Sequence, residues 1–250
     1  MEIKEQIMNL PTFHKENVAV ELNKEWVEQP QFKSIVEDHT NDVICVVSNR
    51  YNLVQFKDIL IPVVDGMKEE FEHDIIYHRG VCIMNIFPKS DEFKEDDKVY
   101  GLTVINSVDK STGIIIKFNI KYGKHVLTFP NKLAAFVKTH SKKGFKVTKD
   151  YINMITKVKE YWSHISEQLP NVEVNHDTLN DVGKMFGLSE SNINYFHRKI
   201  TIGAKVNVWN VVEQRLKEIS YRNFKSDIHK QKALDKLCNE VYNYAVFSNI

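Results

Sequence analysis

Ten lysines fall between residues 110 and 149, and no Asp or Glu interrupts them. They are Lys110, Lys117, Lys121, Lys124, Lys132, Lys138, Lys142, Lys143, Lys146 and Lys149, interleaved with Phe118, Tyr122, Phe129, Phe136 and Phe145. Lysines neutralise phosphates and release counterions, and aromatic rings stack on bases, so this is the composition a polyanion groove requires. The candidate phosphate contacts are Lys121, Lys124, Lys138, Lys142, Lys143 and Lys146, with Tyr122 and Phe145 as candidate stacking residues. The competing reading is a solvated basic face whose aromatics point into a core.

A second constellation lies at 178–200, TLNDVGKMFGLSESNINYFHRKI. A helix-turn-helix needs an apolar residue, a small one where the helices cross, a glycine at the turn and apolar positions in the second helix. Val182, Gly183, Gly187, Leu188, Ile193 and Phe196 occupy those offsets, with Ser189 as N-cap of the second helix. Glu190, Ser191, Asn194, Tyr195 and Arg198 would then face a groove. The alternative is an ordinary helical hairpin, which the low net charge of these helices favours.

The other reactive side chains form no recognisable centre. His73 and His78 lie five apart, and no histidine pair sits with a carboxylate at ligand spacing. Glu92-Phe93-Lys94 matches half of a nuclease-type metal site, but it stands in a run of charged residues that reads as a loop. No GxxxxGK[ST], GxGxxG or GxSxG occurs. The expectation is a protein with no catalytic residues, no metal and no cofactor.

Of the 250 residues 42% are hydrophobic and the net charge is +1, so the molecule as a whole is not a basic nucleic-acid binder. The charge is nevertheless segregated, with 21 acidic and 11 basic residues in 1–109 against ten lysines and no acid in 110–149. Cys45, Cys82 and Cys238 have no CxxC spacing, which argues against a disulfide scaffold. No cationic leader and no apolar run of membrane-spanning length is visible, so a cytoplasmic protein without membrane contact is expected.

The elements that would carry these residues follow from periodicity. Residues 1–40 read as a polar N-terminal arm with a short helix near 18–27. Residues 42–55 read as extended runs turned at Ser48-Asn49, and 56–71 as a helix in which Pro62 must sit in the first turn or cause a kink. Runs at 73–87, 98–108 and 112–123 are strand-like, the last two joined by Asp109-Lys110-Ser111. Residues 125–140 begin extended and turn helical after Pro130, and from Tyr151 onward the spacing is helical. The fold class is therefore α+β. A β-α-β-β-β-α sheet-and-helix part at 41–149, with its basic segment at 110–149, precedes an all-helical part at 150–250.

Two of these segments also resemble a known family. Residues 45–55, CVVSNRYNLVQ, resemble the Val-Val-Ser-x-x-Tyr-x-x-Val-Gln signature of the uncharacterised phage/plasmid-like proteins. Residues 99–118, VYGLTVINSVDKSTGIIIKF, are similar to that family's Asn-Ser-x-Asp-Gly-Ser segment, with Lys110 where Gly is usual. Phe129-Pro130-Asn131, His140-Ser141 and Val208-Trp209-Asn210 match its later elements more loosely, and a Cys usual before the Asn is missing. The resemblance implies a phage or mobile-element origin, hence host cytoplasm. It also implies a fold order like that of phage single-strand annealing recombinases, which oligomerise and hold DNA in a basic groove.

Together these observations lead to the expectation of a non-enzymatic nucleic-acid-binding protein, with single-stranded DNA favoured and an annealing or recombination role. It is expected to form a homo-oligomer. The alternative is a protein–protein module whose basic strip meets an acidic partner. A metal-dependent nuclease resting on Glu92 stands third.

Overall fold

A computed structural model describes residues 2–67, 70–95, 98–129, 136–138 and 151–248. It divides into two compact units. The first comprises residues 1–92, 101–117 and 134–151, and the second residues 93–100, 118–133 and 152–250.

The first unit opens with helix α1 (Ile3–Met8) and an antiparallel sheet of β1 (Phe13–Leu22), β2 (Glu25–Glu37) and β3 (Val43–Ser48), in that order. The helix expected at 18–27 is instead the tip of the β1–β2 hairpin. Leu22 pairs with Glu25 across the strands, and Asn23 and Lys24 between them take the left-handed φ values of +53° and +67° that a two-residue hairpin turn demands.

Helix α2 (Phe56–Gly66) buries Phe56, Ile59, Leu60, Val63 and Val64. Gln55 and Asp58 cap it reciprocally. Pro62 lies inside this helix rather than in its first turn. The Gln55 amide also grips the backbone of Phe13, donating to its carbonyl at 2.7 Å and accepting from its N–H at 3.1 Å.

The main sheet has the order β10-β8-β7-β5-β4. It comprises β4 (Phe71–His78), β5 (Val81–Pro88), β7 (Lys98–Ser107), β8 (Ile114–Tyr122) and β10 (Phe136–Lys138), with β6 (Lys94–Glu95) on β7 and β9 (His125–Thr128) on β8. Every residue of β5 is buried, which is why VCIMNIFP reads as a continuous apolar run. Its one polar side chain, Asn85, is matched from the neighbouring strand: Thr103 donates to Asn85 Oδ1 at 2.7 Å. The helix expected after Pro130 is contradicted at 136–138, which are extended and pair with Ile114–Ile116.

The segments that carry the family resemblance meet in this unit. Asn106, fully buried, donates to the Val54 carbonyl at 3.3 Å, and the Cys45 thiol donates to that of Val108 at 3.3 Å. Ser107, also fully buried, donates to the Thr112 carbonyl at 2.5 Å and accepts from the Thr112 N–H at 3.0 Å. Asn106 and Ser107 thus close the β7–β8 hairpin and tie it to the loop before α2.

The second unit carries helices α3 (Tyr151–Gln168), α4 (His176–Met185), α5 (Glu190–Thr201), α6 (Val208–Tyr221) and α7 (Asp227–Phe247). The α+β class and the helical C-terminal part are as the sequence indicates. Strand β9 lies on α7: Gln231 donates to the Val126 carbonyl at 3.0 Å, and Thr128 to Asp235 at 2.5 Å. Phe129 meets Trp162 edge-to-face at 5.4 Å.

His125 at the start of β9 is buried and makes a 2.7 Å contact with Ser220 Oγ. Ser220 donates its own proton to the Leu216 carbonyl, so His125 Nε2 is the donor and Nδ1 is left bare without a partner. Burial, then the nearby Lys230 and Lys124, lowers the imidazole pKa from 6.5. The neutral ring is therefore the folded form, and stability falls as pH drops from about 6.5 toward the depressed value. A His125→Gln variant is expected to flatten the dependence of the thermal midpoint on pH between 7 and 5.5. An unchanged slope would show that other groups set it.

Candidate nucleic-acid interface

Helix α4 starts at Asn175, whose side chain accepts from the Asp177 and Thr178 N–H groups while Thr178 caps it in return. It ends at Phe186. Gly187 follows with φ +69°, a left-handed turn position that suits glycine. The Leu188 N–H closes the turn onto the Gly183 carbonyl at 2.8 Å.

Helix α5 crosses α4 at Gly183, where an added Cβ would stand 2.9 Å from Ile193 Cγ1. Leu179, Val182, Phe186, Leu188, Ile193 and Phe196 are buried between and beneath the two helices. The base of the pair is closed by backbone hydrogen bonds from Val174 N to the Val206 carbonyl (2.8 Å) and from Val208 N to the Val172 carbonyl (3.0 Å).

The residues expected to face a groove are all solvent-exposed. Ser191, Asn194, Tyr195 and Arg198 follow an i, i+3, i+4, i+7 spacing along one side of α5, with Glu190 at its start. Lys199 lies 5.0 Å over the Tyr195 ring, and Lys184 and Lys205 are exposed. His176 and His197 stack with Nδ1 atoms 2.9 Å apart, and His197 Nε2 lies 3.4 Å from Asn180 Oδ1.

Ser189 occupies the N-cap position, but its hydroxyl makes no cap hydrogen bond. It donates instead to Glu218 of α6 at 2.5 Å. The same carboxylate accepts from the Ser189 N–H at 2.9 Å, from Asn192 at 2.5 Å and from Arg215 at 2.7 Å. Burial of Glu218 opposes its charge, yet these hydrogen bonds prevail and hold the carboxyl below its usual range. This clamp on the first turn of α5 had no signal in the sequence, because Glu218 stands 29 positions beyond Ser189.

Of the basic segment, Lys121 and Tyr122 are half-buried at the end of β8 and Lys124 is exposed in the β8–β9 turn. Lys138 belongs to β10. Lys142, Lys143, Phe145 and Lys146 lie outside the described residues. Phe118, Phe129 and Lys117 are buried, so part of the aromatic and lysine pattern builds core rather than a groove.

Among the described residues no group of three His, Cys, Asp or Glu is placed to hold a metal. Glu92 is exposed, Phe93 of the same triplet is core, and the nearby Glu95 accepts from Tyr100 (2.6 Å) and Ser163 (2.8 Å). No described helix is long and apolar enough to cross a membrane. No protein-family model, curated protein or solved structure matches the chain.

Proposed function

We propose that the chain is a non-enzymatic DNA-binding protein that inserts α5 into the major groove of duplex DNA. The observation that carries this reading is the α4–turn–α5 unit. Its small-residue crossing at Gly183 and turn at Gly187 leave Ser191, Asn194, Tyr195 and Arg198 open on one side. Arg pairs bidentately with guanine and Asn with adenine, while Ser donates to either, so this row has the chemistry of base readout. Lys184, Lys199 and Lys205 supply nearby positive charge for phosphates, and the lysine-rich stretch adds sequence-independent attraction. The resemblance of residues 45–55 and 99–118 to phage/plasmid-like proteins supports a mobile-element setting.

The test is selection of preferred duplexes from a randomised pool, followed by anisotropy at several salt concentrations. Asn194→Ala and Arg198→Ala are each expected to cost about 1–3 kcal/mol and to relax preference at one position. Lys199→Ala should weaken binding to all sequences alike and reduce the salt slope by about 1. Absence of any duplex preference, with single strands bound equally well by the α5 variants, would overturn the reading. The phosphate contacts would then fall to the lysine-rich stretch.

A further inference from the structure

Within the first unit, the β2–β3 turn and the β4–β5 turn border a cleft of about 390 Å³. Its walls are Glu37, Asp42, Val43, Ile44, Tyr77 and Arg79. A cleft of this size admits a small molecule. Glu37, the last residue of β2, is only 9% exposed, and Tyr77 donates to its Oε2 at 2.5 Å. Burial, then this hydrogen bond, pushes the Tyr77 phenol up, so it remains a donor and the carboxylate an acceptor. Oε1 of Glu37 has no partner and is not sealed from solvent, so it stays reachable from the cleft. Asp42 and Arg79 are exposed, and neither side chain makes a hydrogen bond or an ion pair.

The arginine stands where a long side chain is unusual. Arg79 at φ +42° and Gly80 at φ +78° form a two-residue turn between His78 and Val81, a place that Asn-Gly or Asp-Gly normally fills. Departures of this kind gather at functional sites. The turn is also fixed in place. Gly80 N–H donates to Tyr77 Oη at 3.2 Å, and a Cβ at 80 would stand 2.7 Å from Ile44 Cγ2. The cleft is thus organised before any ligand arrives.

Its chemistry is of mixed charge. Carboxylates accept from an ammonium, a guanidinium pairs with a carboxylate, and Val43 and Ile44 add apolar surface. We propose that the cleft binds a free α-amino acid, its ammonium on Glu37 and Asp42 and its carboxylate on Arg79. Two acids against one base leave one negative charge in excess, so a basic side chain such as that of L-lysine fits best. Arg79 opposes a bare divalent cation, and the two carboxylates oppose a phosphate. The site lies wholly in the first unit and stands apart from the duplex reading of α5.

Titration calorimetry on the full chain tests it with L-lysine, with L-norleucine, which lacks the second amine, and with cadaverine, which lacks the carboxylate. L-lysine is expected to bind at micromolar concentrations. The other two should each bind at least about tenfold more weakly, since each leaves charge in the cleft unmatched. Arg79→Asn keeps a residue suited to the turn and should reverse the preference, because the cleft then carries two negative charges and cadaverine two positive ones. Asp42→Asn should weaken L-lysine at least about tenfold, and Glu37→Gln should do so while keeping an acceptor for Tyr77. Both exposed variants should keep the circular-dichroism spectrum of the wild type. No binding of L-lysine, equal affinity for cadaverine, or binding indifferent to Asp42→Asn and Arg79→Asn overturns the proposal.

Discussion

Gly183→Val is expected to destabilise the helical unit by about 2 kcal/mol and to abolish preference among duplexes. Helix propensity alone points the other way, since Val is a slightly better helix residue than Gly. The contact decides the sign. Even a methyl at 183 would sit 2.9 Å from Ile193 Cγ1 and 3.1 Å from Cδ1, and a valine adds two further carbons. Overpacking of this kind costs about 1–3 kcal/mol and spreads α4 from α5. Ile193→Ala by itself should cost about 2–5 kcal/mol through the cavity it leaves. The two changes are complementary in volume, so the double variant should be more stable than their sum by at least about 0.5 kcal/mol. Urea unfolding of the four proteins measures this coupling. Strict additivity would mean that α4 and α5 do not touch at Gly183.

The same glycine shows what the sequence conveys well. A helix crossing needs a missing side chain at one position and a bulky one ten residues on, and Gly183, Gly187 and Ile193 state that constraint locally. Strand β5 is equally plain, because apart from Asn85 and the closing Pro88 it is apolar throughout, and β7 and β8 show it through β-branched and aromatic residues in short runs. The tip of the β1–β2 arm was misread for a physical reason. Glu21 and Glu25 among the apolar residues of 18–27 suit an amphipathic helix as well as a strand, and the deciding turn rests on Asn23 and Lys24 adopting left-handed backbone. Pro130 suggested a helix start, whereas Phe136–Lys138 pair with β8, a non-local hydrogen-bond partnership that periodicity does not encode. Buried Asn106 and Ser107 gave no sign of their roles either, since their partners are backbone carbonyls and an N–H group supplied by other loops.

Glu218→Ala is the second large effect to expect. Glu218 joins α6 to the first turn of α5 through the Ser189 backbone and hydroxyl and through Asn192, while Arg215 neutralises it from its own helix. Its removal leaves the partly buried Arg215 guanidinium without its counter-charge and strands several donors, a loss of about 2–3 kcal/mol. The open row from Ser191 to Arg198 depends on the placement of that first turn. Duplex affinity should therefore fall for all sequences, whereas Arg198→Ala affects one position of the site. Glu218→Gln separates charge from shape, since it keeps an acceptor for Ser189 but not the ionic partner of Arg215. Because the Glu218 carboxyl is held below its usual value, its contribution is complete above about pH 4.5 and is lost as pH falls through the depressed folded value. The alanine variant should lose less stability than wild type on acidification through that range. Denaturation midpoints at pH 7 and pH 4 for both proteins give the comparison, and parallel losses would remove Glu218 from the account of how α5 is held.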